Sequence, residues 1–150
     1  MDLKIKSMRS ILIWAMLILM LPSCGTLNSV IEAKERGEGT TETYDISFDQ
    51  AWELAKKSYR WAGADAIEEY KSEGYMLTSK GMNFVSSGSV MGTWIEDLGG
   101  GRCSVTCISQ RRIKTQVATE MTETKYHKCF STGVSIIKSG KELPLSAPDV

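Results

Sequence analysis

The sequence has one histidine, three prolines and no surplus of either charge, with 18 basic and 18 acidic residues among 150. The balanced charge argues against a nucleic-acid-binding surface, which needs an excess of lysine and arginine. The apolar run at 11–21 has eleven residues, whereas a helix that crosses a bilayer needs about 20. The sequence therefore predicts neither a nucleic-acid-binding protein nor a transmembrane helix.

The apolar run at 11–21 fits an export signal. It follows the basic start MDLKIKSMRS, and a basic stretch before a short apolar region is typical of a cleaved bacterial signal peptide. The next residues, Leu21-Pro22-Ser23-Cys24, resemble the lipobox of bacterial lipoproteins. This resemblance implies a signal peptide over 1–23 and acyl chains, such as palmitate, on the new N-terminus. The alternatives are a secretory signal with an incidental cysteine and an uncleaved anchor.

The residue after the lipobox cysteine bears on the location of the protein. Gly25 follows Cys24, whereas an aspartate there resembles the inner-membrane retention signal of enteric bacteria. We therefore expect the periplasmic face of the outer membrane, reached through the lipid, which anchors stably when it carries several chains. Without residues 1–23 the chain keeps 15 basic and 17 acidic residues. The expected partners are the membrane and an envelope protein.

Composition divides the mature chain into three parts. Residues 24–41 are rich in Gly, Glu, Thr and Lys, which predicts a lipidated N-terminus followed by a flexible tether. Residues 42–139 have the length and the apolar content of one domain. The tail at 140–150 has two prolines and no hydrophobic period, so it is predicted to be disordered, with loose docking on the domain as the alternative.

Hydrophobic periodicity predicts the order β-α-β-β-β-β-α within this domain. Ser47 and Gln50 form a capping box that opens a helix, and Gly63 closes it. The segments KSEG and LGGG are turns between paired strands, and Thr122 caps the closing helix. The predicted class is α+β, with an antiparallel sheet of four to five strands and two helices packed on one face.

The strand at 102–112 predicts two different faces for the sheet. Its alternating side chains point toward the helices (Cys103, Val105 and Cys107) or away from them (Ser104, Thr106 and Ile108). The outward set is mixed in polarity, which suits weak binding or the addition of a strand at an edge. The alternative is an ordinary solvated sheet face.

Four segments resemble a known group of proteins in their layout. They are SFDQAWELAKKSYRWAGADAIEEYKSEGYMLTS, GTWIED, RCSVTCIS and TETKYHKCF. They resemble the small α+β domains of uncharacterised bacterial lipoproteins, similar in layout to those of the lipoprotein subunit of the outer-membrane β-barrel assembly machinery. The resemblance implies a lipid-tethered module that binds other envelope components, although a shared layout does not fix a function.

The residues suited to catalysis or metal binding are poorly placed for either. His127 is expected to be a partly exposed helix residue, and Cys129 two positions on points to another side of the helix. Cys103 and Cys107 stand about 13 Å apart in a strand, too far to share a tetrahedral metal centre. We therefore expect no enzyme, metal or cofactor. The alternative is an envelope hydrolase of unknown substrate.

The cysteine count predicts one disulfide. With Cys24 lipidated, three cysteines remain in a compartment that favours oxidation. Cys103 and Cys107 are too far apart along their strand to pair, because a bridge needs Cα atoms within about 7 Å. The closing helix packs over the strand with Cys129 nearer to Cys107, so Cys107 and Cys129 are the predicted pair. The alternative is three free, buried thiols.

Overall fold

A computed structural model of the chain describes residues 26–64, 66–80, 88–112 and 122–148. The predicted signal peptide and the lipobox with Cys24 lie outside the described residues. The elements in chain order are α1 (Leu27–Glu35), β1 (Thr40–Tyr44), α2 (Phe48–Trp61), β2 (Ala66–Tyr70), a 3₁₀ turn (Lys71–Glu73), β3 (Tyr75–Lys80), β4 (Ser89–Gly99), β5 (Arg102–Arg111) and α3 (Glu123–Lys138).

The strands form one antiparallel sheet of five strands in the order β1-β5-β4-β3-β2. The α+β class, the antiparallel sheet and the predicted element order from β1 onward are confirmed. Consecutive strands β2 to β5 are neighbours, whereas β1 pairs with β5 at the far side. This pairing leaves β1 and β2 as the two edges of the sheet.

Helices α2 and α3 cover one face of the sheet, as predicted. The Ser47 side chain accepts from the Gln50 amide and the Gln50 side chain accepts from the Ser47 amide, which completes the expected capping box. Thr122 caps α3 by accepting from the amide of Lys125. Between these helices and the sheet lies the main core, which includes Trp52, Leu54, Tyr59, Val105, Cys107, Tyr126 and Phe130.

The two helices approach closely at Gly133. A methyl group on Gly133 would lie 2.2 Å from Cδ1 of Leu54, a side chain with no exposed surface. Glycine in the interior of a helix costs about 0.5–1 kcal/mol relative to alanine. The contact with Leu54 accounts for its presence, because any larger residue would push α2 and α3 apart.

Helix α1 packs on the opposite face, so the prediction of a flexible tether is wrong for residues 26–41. Thr26 and Ser29 form a capping box, and Ser29 Oγ also donates to Gln110 Oε1 of β5. Val30 and Ala33 are fully buried in a second cluster with Leu77, Val90 and Ile108. The predicted helices on one face are therefore supplemented by a third helix on the other.

The predicted disordered tail also packs against the domain. Trp61 Nε1 donates to the carbonyl oxygen of Pro144 at 3.2 Å, and Leu143 contacts the main core. Residues 141–148 have no helix or strand, and Leu145 among them is 93% exposed. These contacts fit the loosely docked alternative for this part of the tail rather than disorder, and packed residues extend beyond the predicted bounds of 42–139 at both ends.

Candidate binding surface on the half-covered sheet face

Helix α1 covers only part of the sheet face on which it lies. Ile108 and Thr106 point away from α2 and α3, as predicted, but α1 leaves them only 2% and 5% exposed. Beyond the end of α1, Thr43 and Glu96 are exposed and Ser104 is half-buried. The prediction of an open, mixed face is therefore wrong under α1 and holds only beyond it.

A row of three aromatic rings marks the boundary between the covered and the open part. We call Tyr70, Tyr75 and Trp94, on β2, β3 and β4, the aromatic shelf. Tyr70 pairs with Tyr75 and Tyr75 pairs with Trp94 in the sheet register. Successive ring centroids are 4.7 and 5.8 Å apart, with interplanar angles of 16° and 21°. The shelf is thus a stacked row that crosses three strands, and each ring is half-buried.

Glycine makes room for the inner end of the aromatic shelf. A methyl group on Gly92 would lie 2.6 Å from the Trp94 ring and 2.7 Å from Cγ1 of Val30. The ring therefore lies over the Gly92 backbone, beside α1. Lys34 of α1 places its ammonium 5.8 Å from the Trp94 ring centroid, and Lys34 Nζ also donates to Thr106 Oγ1 at 3.3 Å. Trp94 is thus already in position to contact a cation.

Carboxylates lie beside the end of the aromatic shelf that is formed by Tyr70 and Tyr75. Tyr70 Oη donates to Glu68 Oε2 at 3.1 Å, and this hydrogen bond raises the pKa of Tyr70. Burial, followed by the charge of Glu73, raises the pKa of Tyr75. Both carboxylates are on exposed residues. Aromatic faces beside carboxylates are an environment that attracts lysine and arginine side chains.

His127 is buried, with 3% of its surface exposed, so the prediction of a partly exposed residue is wrong. Its Nδ1 is 2.9 Å from Tyr44 Oη, and its Nε2 is 3.0 Å from the carbonyl oxygen of Thr40. Tyr44 Oη also donates to Glu42 at 2.8 Å, and burial together with this carboxylate raises the pKa of Tyr44. Both ring nitrogens therefore link α3 to edge strand β1.

The three described cysteines are buried, free thiols. Cys107 lies in the main core with Tyr126 and Phe130, whereas Cys129 is outside that cluster. The predicted bridge between Cys107 and Cys129 is not formed in this structure. Burial raises the pKa of Cys107 well above its usual value and that of Cys103 to about 11. These thiols therefore stay protonated at neutral pH, and the thiolate is the reactive form.

We expect the native lipidated protein, in which Cys24 has no thiol, to react slowly with an aromatic disulfide reagent, and its other three cysteines to react fully only after unfolding without reductant. Burial of all three sulfur atoms gives the slow native reaction, and their free state gives the count of three. The measurement is absorbance against time, with and without denaturant. A count of one in denaturant would show a bridge, and a fast native reaction would show that the thiols are accessible.

Within 26–64, 66–80, 88–112 and 122–148, no group of three or more His, Cys, Asp and Glu side chains is arranged to hold a metal ion. No helix in these ranges has the length and apolar character needed to cross a membrane. No family model matches the chain, and no curated protein matches it.

Proposed function

We propose that this protein is a lipid-anchored module of a bacterial cell envelope, held on the periplasmic face of the outer membrane through Cys24. In this proposal it binds an envelope protein and carries out no catalysis. The anchor is supported by the lipobox-like Leu21-Pro22-Ser23-Cys24 after a short apolar run. The binding role is supported by the aromatic shelf.

The aromatic shelf is the observation that carries the binding role. Tyrosine and tryptophan are enriched at protein interfaces, where they supply a large contact area with little loss of side-chain entropy. Here three of them form one stacked row at the border of an open sheet surface. Glu68 and Glu73 beside the row favour a partner segment with arginine or lysine. The proposed ligand is therefore a basic segment of an envelope protein.

The histidine and two of the described cysteines, the side chains best suited to acid-base or nucleophilic chemistry, have structural roles. His127 has both ring nitrogens within hydrogen-bond distance of Tyr44 and Thr40. Cys103 and Cys107 are buried and their pKa values are raised, which opposes thiolate formation. These features support a binding module over a hydrolase, and we expect no turnover of ester, peptide or glycan substrates.

Replacing Cys24 by alanine is expected to abolish lipid attachment, because the thiol is the proposed acceptor of the diacylglycerol. Cells grown with an alkyne fatty acid should label the natural protein, and the Cys24→Ala variant should show neither label nor sedimentation with membranes. A matched control is Cys129→Ala, which removes a cysteine outside the lipobox. Equal labelling of both variants would contradict the anchor.

The shelf can be tested by placing a photo-crosslinking amino acid at Tyr70 in living cells. A second variant carries it at Ser135, which is exposed on α3 at the other face of the sheet. We expect one defined crosslinked protein from position 70 and none of that size from position 135. Its yield should fall when Glu68 and Glu73 are both changed to glutamine. The same products from both positions would contradict a binding role for the shelf.

A further inference from the structure

The direction of α1 identifies the end of the sheet from which the membrane anchor emerges. Ser29, in the first turn, bonds to Gln110, and Lys34, in the last turn, bonds to Thr106. Helix α1 therefore runs antiparallel to β5 and begins beside the C-terminal end of that strand. We call this end of the domain, with Thr26 and 110–112, the anchor end.

The chain between the lipid and α1 is too short to lift the domain from a membrane. Cys24 is two residues before Thr26, the N-cap of α1. A fully extended chain spans at most about 3.6 Å per residue, so these residues reach about 7 Å. Thr26 is held in place, because its backbone amide donates to Ser29 Oγ at 2.9 Å and Ser29 in turn contacts β5.

The charges near the two ends of β5 do not choose an orientation. Strand β5 ends at Arg111, beside the start of α1, and Arg112 follows it. A carboxylate lies at the same end, because Glu123 of α3 accepts from the Ser109 amide. Near the β4–β5 hairpin at the opposite end, Glu96, Asp97 and Arg102 are all exposed. The orientation therefore follows from the short connection between Cys24 and Thr26.

We propose that the anchor end rests on the lipid headgroups and that the β4–β5 hairpin points away from the membrane. This inference depends on the lipid anchor of the proposed function. Arg102 is eight residues along β5 from Gln110, which places the hairpin about 26 Å above the anchor end. Trp94 is four residues along β4 from Val90, the partner of Gln110, so the aromatic shelf lies about 13 Å above it.

The orientation restricts the partner of the aromatic shelf. The aromatic shelf, held at this height above the anchor end, lies close to the lipid headgroups. The sheet face that carries it is parallel to the membrane normal. The matching partner is the membrane-proximal part of an envelope protein, presented in the same membrane. A freely diffusing periplasmic protein could bind the aromatic shelf at any height above the membrane, so it would not require this orientation.

The test uses the lipidated, purified protein in vesicles that contain anionic lipid and a nitroxide-bearing headgroup lipid, which quenches fluorophores only at short range. One variant carries a thiol-linked fluorophore at Asn28→Cys in the first turn of α1, and the other at Leu98→Cys near the hairpin. Both positions are exposed. We expect quenching of the label at position 28 to exceed that at position 98 several-fold. The natural sequence, labelled in parallel, gives the background from the buried thiols.

A spacer variant supplies the matched control. Ten Gly and Ser residues inserted between Gly25 and Thr26 add a flexible span of about 17 Å, so the domain can tumble. The difference between the two labels should then disappear. Equal quenching without the spacer, in protein that floats with the vesicles, would overturn the orientation alone. Protein that carries no lipid and does not float would overturn the proposed anchor and the orientation with it.

Discussion

Replacing Gly133 by leucine is expected to lower the free energy of unfolding by about 3 kcal/mol, the upper part of the usual range for overpacked cores. Gly133 lies on the buried side of α3, where a single added methyl group would already lie 2.2 Å from Cδ1 of Leu54. Leu54 has no exposed surface and cannot move into solvent. The larger side chain must therefore separate α2 from α3 and open the core around Phe130.

Denaturant unfolding at neutral pH, followed by tryptophan fluorescence, measures this change. The matched control is Ser135→Leu on the exposed side of the same helix, for which we expect a change within about 0.5 kcal/mol. The double variant Gly133→Leu, Leu54→Ala should regain part of the lost unfolding free energy, because alanine at position 54 leaves space for the new leucine. Additive losses in the double variant would contradict a direct contact between these two positions.

The elements from β1 onward were predictable because their signals are local. The capping box at Ser47 and Gln50, the turn KSEG and the Thr122 cap each depend on residues a few positions apart. The stripe of Tyr126, Phe130 and Val134 repeats every four residues and is buried as a helix requires. Such signals are readable without knowledge of the tertiary structure.

Helix α1 was missed although its signals are present. Leu27, Val30 and Ile31 have the i, i+3, i+4 spacing of an apolar helix face, and Thr26 with Ser29 offers a capping box. The surrounding Gly, Glu and Lys residues concealed this short pattern. The helix is stable because it buries its apolar side against the sheet, which is a tertiary effect.

The candidate site depends on the pairing of strands, which the hydrophobic periodicity of the sequence does not determine. The short turn after Tyr70 sets its pairing with Tyr75, but the alignment of Tyr75 with Trp94 depends on the register between β3 and β4. His127 is buried because edge strand β1 brings Tyr44 beside α3. The helical pattern places His127 beside the apolar stripe of α3. It does not contain the strand order, which brings β1 over this side chain.

Raising the pH above 10 is expected to unfold the domain cooperatively. Burial raises the pKa values of Tyr59 and Tyr126 well above the usual value of about 10, and that of Cys107 above its usual value of about 8.5. In the unfolded chain these groups lose their protons near their usual pKa values, whereas in the folded chain they keep them. The unfolded state therefore binds fewer protons at high pH, and stability falls as pH rises.

The size of the effect follows from the number of groups. Each group contributes about 1.4 kcal/mol per pH unit between its unfolded and folded pKa values, so these three groups alone give a slope of about 4 kcal/mol per pH unit above pH 10. Tyr44 and Cys103, whose pKa values are also raised, act in the same direction. Domains of this size have total stabilities of about 5–15 kcal/mol. We therefore expect full stability up to about pH 8.5 and loss of structure within a few pH units above 10. Circular dichroism against pH measures the transition.

Two tyrosine variants separate the phenol contribution from general charge repulsion. Tyr59 Oη donates a hydrogen bond to Thr93 Oγ1 at 2.7 Å. Thr93 also faces Tyr126, but Tyr126 Oη has no hydrogen-bond partner among the described residues. At neutral pH, Tyr59→Phe should cost about 1 kcal/mol through the lost bond, and Tyr126→Phe should leave stability equal or higher.

Above pH 10 each variant should lose stability less steeply than the natural protein, by about 1.4 kcal/mol per pH unit, because one buried titrating phenol is removed. The decisive comparison is the slope of unfolding free energy against pH, obtained from urea titrations at several pH values between 8 and 11. Tyr75→Phe is the comparison variant, since its ring is only half-buried on the aromatic shelf and its loss should change the slope less. Unchanged slopes in both Tyr59→Phe and Tyr126→Phe would assign alkaline unfolding to other groups.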